Sequence, residues 1–281
     1  MHATTDLASS TATRPSRGFI TTADGEQLYY QDIGEGPVVV FVHGWTMNVD
    51  FWERQIVDLT QQGHRCIAYD HRGCGHSSPA LHGYDLDGQA DDLAALIDTL
   101  GLDQVTLVAH SMGAVEVARY VSRHGAARVA RAILVAGTAP GLFLDPDSRT
   151  AALTMQVTAL MADRPAFVGA MVQPFFAPEP VSAETIAWGS GIALQASLHA
   201  AVEYTRTNVN ADVREDMAAF TMPTLIIHGS ADQGCPLEVS GALAHAMIPG
   251  SELIVYEGAS HGLPLTRSEQ LTADIAAFVA R

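Results

Sequence analysis

The sequence predicts an α/β fold: a mostly parallel eight-stranded sheet with helices on both faces, interrupted once by a helical insertion. Three observations carry this expectation. Apolar, β-branched-rich runs recur at 38–42, 65–69, 105–109, 131–135, 224–227 and 252–256. Unbroken runs of that kind suit strands buried on both faces. Segments of helical period lie between most of them, the alternation of βαβ units joined by right-handed crossovers. From about 139 to 219 the strands stop, and Ala-, Met- and Phe-rich helical patterns are broken by Pro165, Pro174, Pro178 and Pro180.

Residues 1–17 are rich in Ser, Thr and Ala and read as a disordered tail. A core of 18–138 follows, then a cap-like insertion at 139–219 and a second part of the core at 220–281. The stretches 19–22 and 27–33 flank Asp24-Gly25, a hairpin signal. Asp50-Phe51-Trp52-Glu53 has capping-box spacing and predicts a helix that stops at Gly63. Leu86, Ala90, Leu93, Ile97 and Leu100 recur on one helical face, and Gly101 ends that helix. The segment from Ala114 to Gly125 is amphipathic. A closing helix, 269–279, carries Leu271, Ile275 and Phe278 on one side.

Of 281 residues, 48% are hydrophobic and 16% charged, enough to build one sizeable core. The formal net charge of −16 argues against nucleic acid or an anionic membrane as a partner. No apolar run approaches the roughly 20 residues that span a bilayer. Three unpaired cysteines, Cys66, Cys74 and Cys235, suit a reducing cytoplasm rather than a disulfide framework. Neither Cys74 nor Cys235 has a base beside it in the sequence, and both read as bystanders.

The chemistry centres on Ala109-His110-Ser111-Met112-Gly113, where a buried strand runs directly into a helix. A serine on that corner, with small residues two before and two after it, fits the nucleophile elbow written G-x-S-x-G, with Ala109 in place of the first glycine. The alternative is a serine that only caps the helix. A serine nucleophile needs a base and a carboxylate that orients the base. Asp232 and His261 stand in the loops after the last two strands, at the ends where open α/β sheets place their sites. Taken singly, Asp232 suits a turn and His261 a solvated loop. Two backbone N–H donors suit a developing oxyanion: Met112 at a helix start and Trp45 after the first parallel strand. Their side chains are candidate pocket walls and could equally be packing. Met155, Met161, Phe167, Met171, Phe175, Phe176 and Trp188 of the insertion are candidates for an apolar acyl pocket or for plain core. His71 and His76 flank a glycine-rich turn without metal-ligand spacing, and His110 reads as structural.

The chain resembles the α/β-hydrolase superfamily from about Phe19 to Ala280, within it the cofactor-free haloperoxidase and aryl-esterase group. The resemblance lies in His43-Gly44-Trp45, Asp70-His71-Arg72-Gly73, Glu116-Val117-Ala118-Arg119-Tyr120, 223–229 and 256–263. It implies Ser111 as nucleophile, His261 as base, Asp232 as orienting acid, an oxyanion hole from Trp45 and Met112, and a helical cap. It implies no cofactor and no metal. The group's haloperoxidase branch has proline after the tryptophan, where this chain has Thr46. The expected activity is therefore hydrolysis of a carboxylic ester, or of a lactone or amide. The alternatives are a perhydrolase and, in another class, a ligand receptor on the same fold. The expected partner is a small ester in the cytoplasm, with a second copy of the chain left open.

Overall fold

A computed structural model describes residues 16–281. Its eight strands are β1 (Ser16–Thr21), β2 (Gln27–Ile33), β3 (Val38–Val42), β4 (Arg65–Tyr69), β5 (Val105–His110), β6 (Val129–Val135), β7 (Thr224–Gly229) and β8 (Glu252–Tyr256). They form one sheet in the order β1-β2-β4-β3-β5-β6-β7-β8. The β1–β2 and β2–β4 pairs are antiparallel and the rest parallel. β1 begins at Ser16, so residues 16 and 17, expected in the tail, belong to the sheet. The remainder of that expected tail, 1–15, lies outside the described residues.

The chain enters the parallel sheet at β3, steps outward to β4, and returns to β5 on the other side of β3. This reversal is the switch point at which open α/β sheets leave a crevice beyond the strand ends. Val42 pairs with Ala109, so the loops leaving β3 and β5 emerge side by side. The pleat divides the core into two layers. Val40, Val42, Leu107 and Ala109 face α2 (Leu86–Thr99) and α3 (Gly113–His124). Val39, Phe41 and Val108 face α1 (Glu53–Gln61) and α10 (Ser268–Val279). Every residue of β5 is buried, whereas β8 at the sheet edge is half open.

Asn48, not Asp50, caps the turn that leads into α1: its side chain accepts from the Asp50 N–H at 3.0 Å. A 3-10 turn over Val49–Trp52 precedes the helix, so the capping-box reading was offset by one element. Four helices fill the insertion: α4 (Pro146–Ala162), α5 (Arg164–Phe176), α6 (Ala183–Ala193) and α7 (Leu198–Asn210). Each starts at a side chain that accepts an N–H of the first turn, respectively Asp145, Asp163, Ser182 and Ser197. Two short helices not expected from the sequence, α8 (Gly241–Met247) and α9 (Leu263–Thr266), flank β8. No helix of the described residues is long and apolar enough to cross a membrane.

Candidate active site

Ser111 sits at the end of β5 with φ of +54°, a region that non-glycine residues seldom adopt. The strain is held by its surroundings: the Ser111 carbonyl accepts from the N–H groups of Ala114 and Thr138, both at 3.0 Å. Glycines make the corner possible. A Cβ on Gly113 would meet the Val42 carbonyl oxygen at 2.8 Å, and one on Gly44 would meet Ser111 Cβ at 2.9 Å. The Gly44 loop therefore lies directly against the serine. Ala109, inside the sheet and fully buried, is accommodated without displacing the elbow.

Asp232 and His261 converge on this corner from the ends of β7 and β8. His261 Nε2 lies 3.0 Å from Ser111 Oγ, and its Nδ1 lies 2.7 Å from Asp232 Oδ2. The other Asp232 oxygen accepts from the N–H groups of Gly234 and Cys235 at 2.8 and 2.7 Å. Burial alone would raise the Asp232 carboxyl pKa. The charge of His261, hydrogen bonds from His228 and His261, and the Cys235 N–H outweigh it and hold the carboxyl well below its ordinary range. Burial likewise disfavours the His261 imidazolium, but the Cys235 sulfur and the Asp232 carboxylate raise the ring above the ordinary histidine value. This ordering of charge suits a base whose protonated form is stabilised.

Three further residues surround His261, and the sequence pointed to none of their contacts with it. His110 Nε2 donates to the His261 carbonyl at 3.1 Å, and its ring stands 4.8 Å from that of His261. Burial lowers the His110 pKa, so the ring is a neutral prop, as its structural reading expected. Glu179, between α5 and α6, accepts from the Ser260 N–H and hydroxyl at 2.9 and 2.8 Å and from Thr266 Oγ1 at 2.6 Å. It also pairs with Arg267 at 2.5 Å. Burial would raise the Glu179 pKa, yet these bonds lower it and keep the carboxylate charged. Glu179 thus clamps the insertion onto the residue before His261. Cys235, read as a bystander, is instead a buried wall of the site close to His261 and Ser111. Burial pushes its thiol pKa up, partly offset by those two neighbours.

The β3 loop is fixed from behind by a second buried network. His43 Nδ1 donates to the Gly44 carbonyl at 2.8 Å, while Nε2 accepts from the His71 N–H at 3.0 Å. The His71 ring lies 2.9 Å from Glu116, which also bonds the Tyr69 hydroxyl. Burial lowers His43 and His71, the latter to about 3, and raises Glu116 to about 8. Burial thus opposes charge on all three groups, and His71 belongs to this network rather than to a bare turn. Thr46, directly after Trp45, has φ of +52°. Proline is locked near −65°, so this backbone cannot accept it unchanged.

A cavity of about 340 Å³ opens between the sheet ends and the insertion, and Ser111, His261 and Trp45 line it. Trp45 Nε1 donates to Thr205 Oγ1 at 3.0 Å, which moors the indole to α7. Phe167, Met171, Phe175 and Phe176 reach the cavity as an acyl pocket would require. Met155 and Met161 point to solvent instead, and Trp188 is not among the lining residues. Of the two readings of the Met112 side chain, packing is the one realised: it is fully buried in the core layer with α2 and α3 and does not line this cavity. Its backbone stands at the start of α3.

A doubly wound sheet with a serine elbow at its switch point and an aspartate and a histidine beyond its last two strands, β7 and β8, defines a hydrolase-type architecture. Residues 37–177 match the alpha/beta hydrolase fold family, and the chain belongs to it. It is 36% identical to a non-heme haloperoxidase of Rhodococcus erythropolis over 93% of this chain and 98% of that one. A bifunctional esterase/perhydrolase of Acinetobacter calcoaceticus is 33% identical over 93% and 99% of the two chains. Among solved structures, an esterase from Exiguobacterium antarcticum superposes with a TM-score of 0.91 at 31% identity, covering 95% of this chain and 100% of that one.

Proposed function

We propose that this protein is a serine hydrolase of carboxylic esters that works through an acyl-enzyme. The reading rests above all on the hydrogen-bonded line from Ser111 through His261 to Asp232, opening into an apolar cavity. Ser111 Oγ attacks the ester carbonyl while His261 Nε2 takes the hydroxyl proton. The oxyanion lies against the backbone N–H groups of Trp45 and Met112, the second of them at a helix start. The tetrahedral intermediate collapses when His261 returns its proton to the leaving alcohol. Water, activated by the same histidine, then attacks the acyl-serine, and the acid leaves. Asp232 stays charged throughout and keeps Nδ1 protonated. The insertion acts as a cap: Phe167, Phe175 and Phe176 supply an apolar surface for the acyl chain.

The test is hydrolysis of p-nitrophenyl esters from acetate to octanoate by the wild type and by Ser111→Ala at matched folded concentration. Turnover that depends on Ser111, with an optimum in chain length, is the expected result. Equal and negligible rates would refute the esterase reading for these substrates and favour a ligand receptor, which saturable binding without product would reveal.

A second reading has support in the relatives named as haloperoxidase and esterase/perhydrolase. In it peroxide replaces water on the acyl-enzyme and releases a peracid. Thr46 and its left-handed backbone weigh against it, because a proline there would need a different course for the oxyanion loop. Bromide oxidation in acetate and peroxide measures it directly; a rate near background is expected.

A further inference from the structure

Beside the proposed triad the site holds a group that ester hydrolysis does not use, the thiol of Cys235. The ligating atoms of Asp232, Cys235 and His261 all lie within 4.8 Å of one another, and all three residues are buried. Among the described residues no other three His, Cys, Asp or Glu side chains converge in this way. One carboxylate oxygen, one thiolate sulfur and one imidazole nitrogen form a donor set for a borderline-soft divalent ion such as zinc. Donors around a tetrahedral zinc stand roughly 3.5 Å apart, given bonds of about 2.0 to 2.3 Å. The Asp232 Oδ2–His261 Nδ1 pair, now at 2.7 Å, therefore has to open by about 0.8 Å, and any wider pair closes by no more than about 1.3 Å. Gly234, before the thiol, packs against the same two ligands: a Cβ there would stand 3.5 Å from both Asp232 Oδ1 and the His261 ring. Gly234, Cys235, Ser111 and His261 all line the cavity, which gives an ion the same route as substrate.

We propose that Asp232, Cys235 and His261 form an inhibitory site for zinc or a similar divalent metal, competing with the ester for the catalytic histidine. On binding, the Cys235 S–H bond breaks, its proton leaves to solvent, and the sulfur pair forms the metal–thiolate bond. His261 Nδ1, beside Asp232, donates its lone pair to the ion as the ring proton passes through solvent from Nδ1 to Nε2, so Ser111 faces an N–H and loses its base. The inhibitory effect rests on the triad reading; the binding site does not.

Cobalt(II) reports the site without turnover, because a thiolate ligand gives an intense near-ultraviolet charge-transfer band. The expected result is that band in the wild type and its loss in Cys235→Ser, Cys235→Ala and His261→Ala. In parallel, zinc inhibits p-nitrophenyl ester hydrolysis competitively and EDTA reverses it. Either cysteine variant, compared with its own metal-free rate, then needs more than about tenfold more zinc for half-inhibition, since even lost outer-shell partners weaken metal sites by about 10 to 100-fold. No cobalt band in the wild type, or zinc sensitivity unchanged in both cysteine variants, overturns the proposal. A band that vanishes in the variants while zinc leaves wild-type hydrolysis untouched keeps the metal site, overturns its inhibitory role and counts against His261 as the base.

Discussion

The sheet and the insertion are built by opposite means. The strands β3, β5 and β7 are apolar on both faces and can exist only between two helical layers, so each residue there is held by packing. The insertion helices are defined locally by their caps and prolines, and several large apolar side chains on them remain open to solvent, among them Met155 and Met161. The rigid part carries the strained serine; the looser part carries the pocket wall. A strained backbone persists only where its surroundings over-determine it, whereas a wall that admits ligand must be able to give. Glu179 joins the two, since the insertion reaches the loop of His261 through its bonds to Ser260, Thr266 and Arg267.

This contrast can be broken at its strongest point first. Ser111→Ala should lower kcat/KM for p-nitrophenyl butyrate by about 10⁴-fold or more, with the melting temperature little changed. Next, Glu179→Gln should lower kcat by about ten- to a hundredfold by letting His261 drift, while KM for short esters stays near its wild-type value. A change in KM alone would mean that Glu179 serves the pocket rather than the base. Gly113→Ala should destabilise the fold by about 1–3 kcal/mol in urea unfolding, because its Cβ meets the backbone of β3. Phe167→Ala should move the chain-length optimum and weaken kcat/KM for octanoate by about tenfold while sparing acetate. Met155→Ser, on the open side of the insertion, should stay within about 0.5 kcal/mol and leave activity alone. Equal sensitivity at Phe167 and Met155 would erase the distinction between the two faces.

Much of the site was legible because it obeys a simple rule. Ser111, Asp232 and His261 each follow an apolar run, and parallel strands bring their carboxyl ends to one edge of the sheet. The pairing of Val42 with Ala109 then sets Gly44 against Ser111. Other readings turned on the direction of a side chain. Met112 sits beside the serine in sequence, yet its side chain turns into the core, because α3 buries that face against the sheet. Met155 and Met161 share the composition of Met171 but stand on the outer side of α4.

The sequence by itself determined most of the strands, the four helices α1, α2, α3 and α10 of the core, and the chain order of the serine, aspartate and histidine, because these depend on local periodicity, caps and turns. Only the tertiary structure decided that Glu179 reaches Ser260 across 81 residues, that His110 props His261, and that Cys235 stands beside His261. Those contacts join loops whose separation is fixed by how the layers pack, and no local pattern in the chain encodes the direction in which a side chain then points.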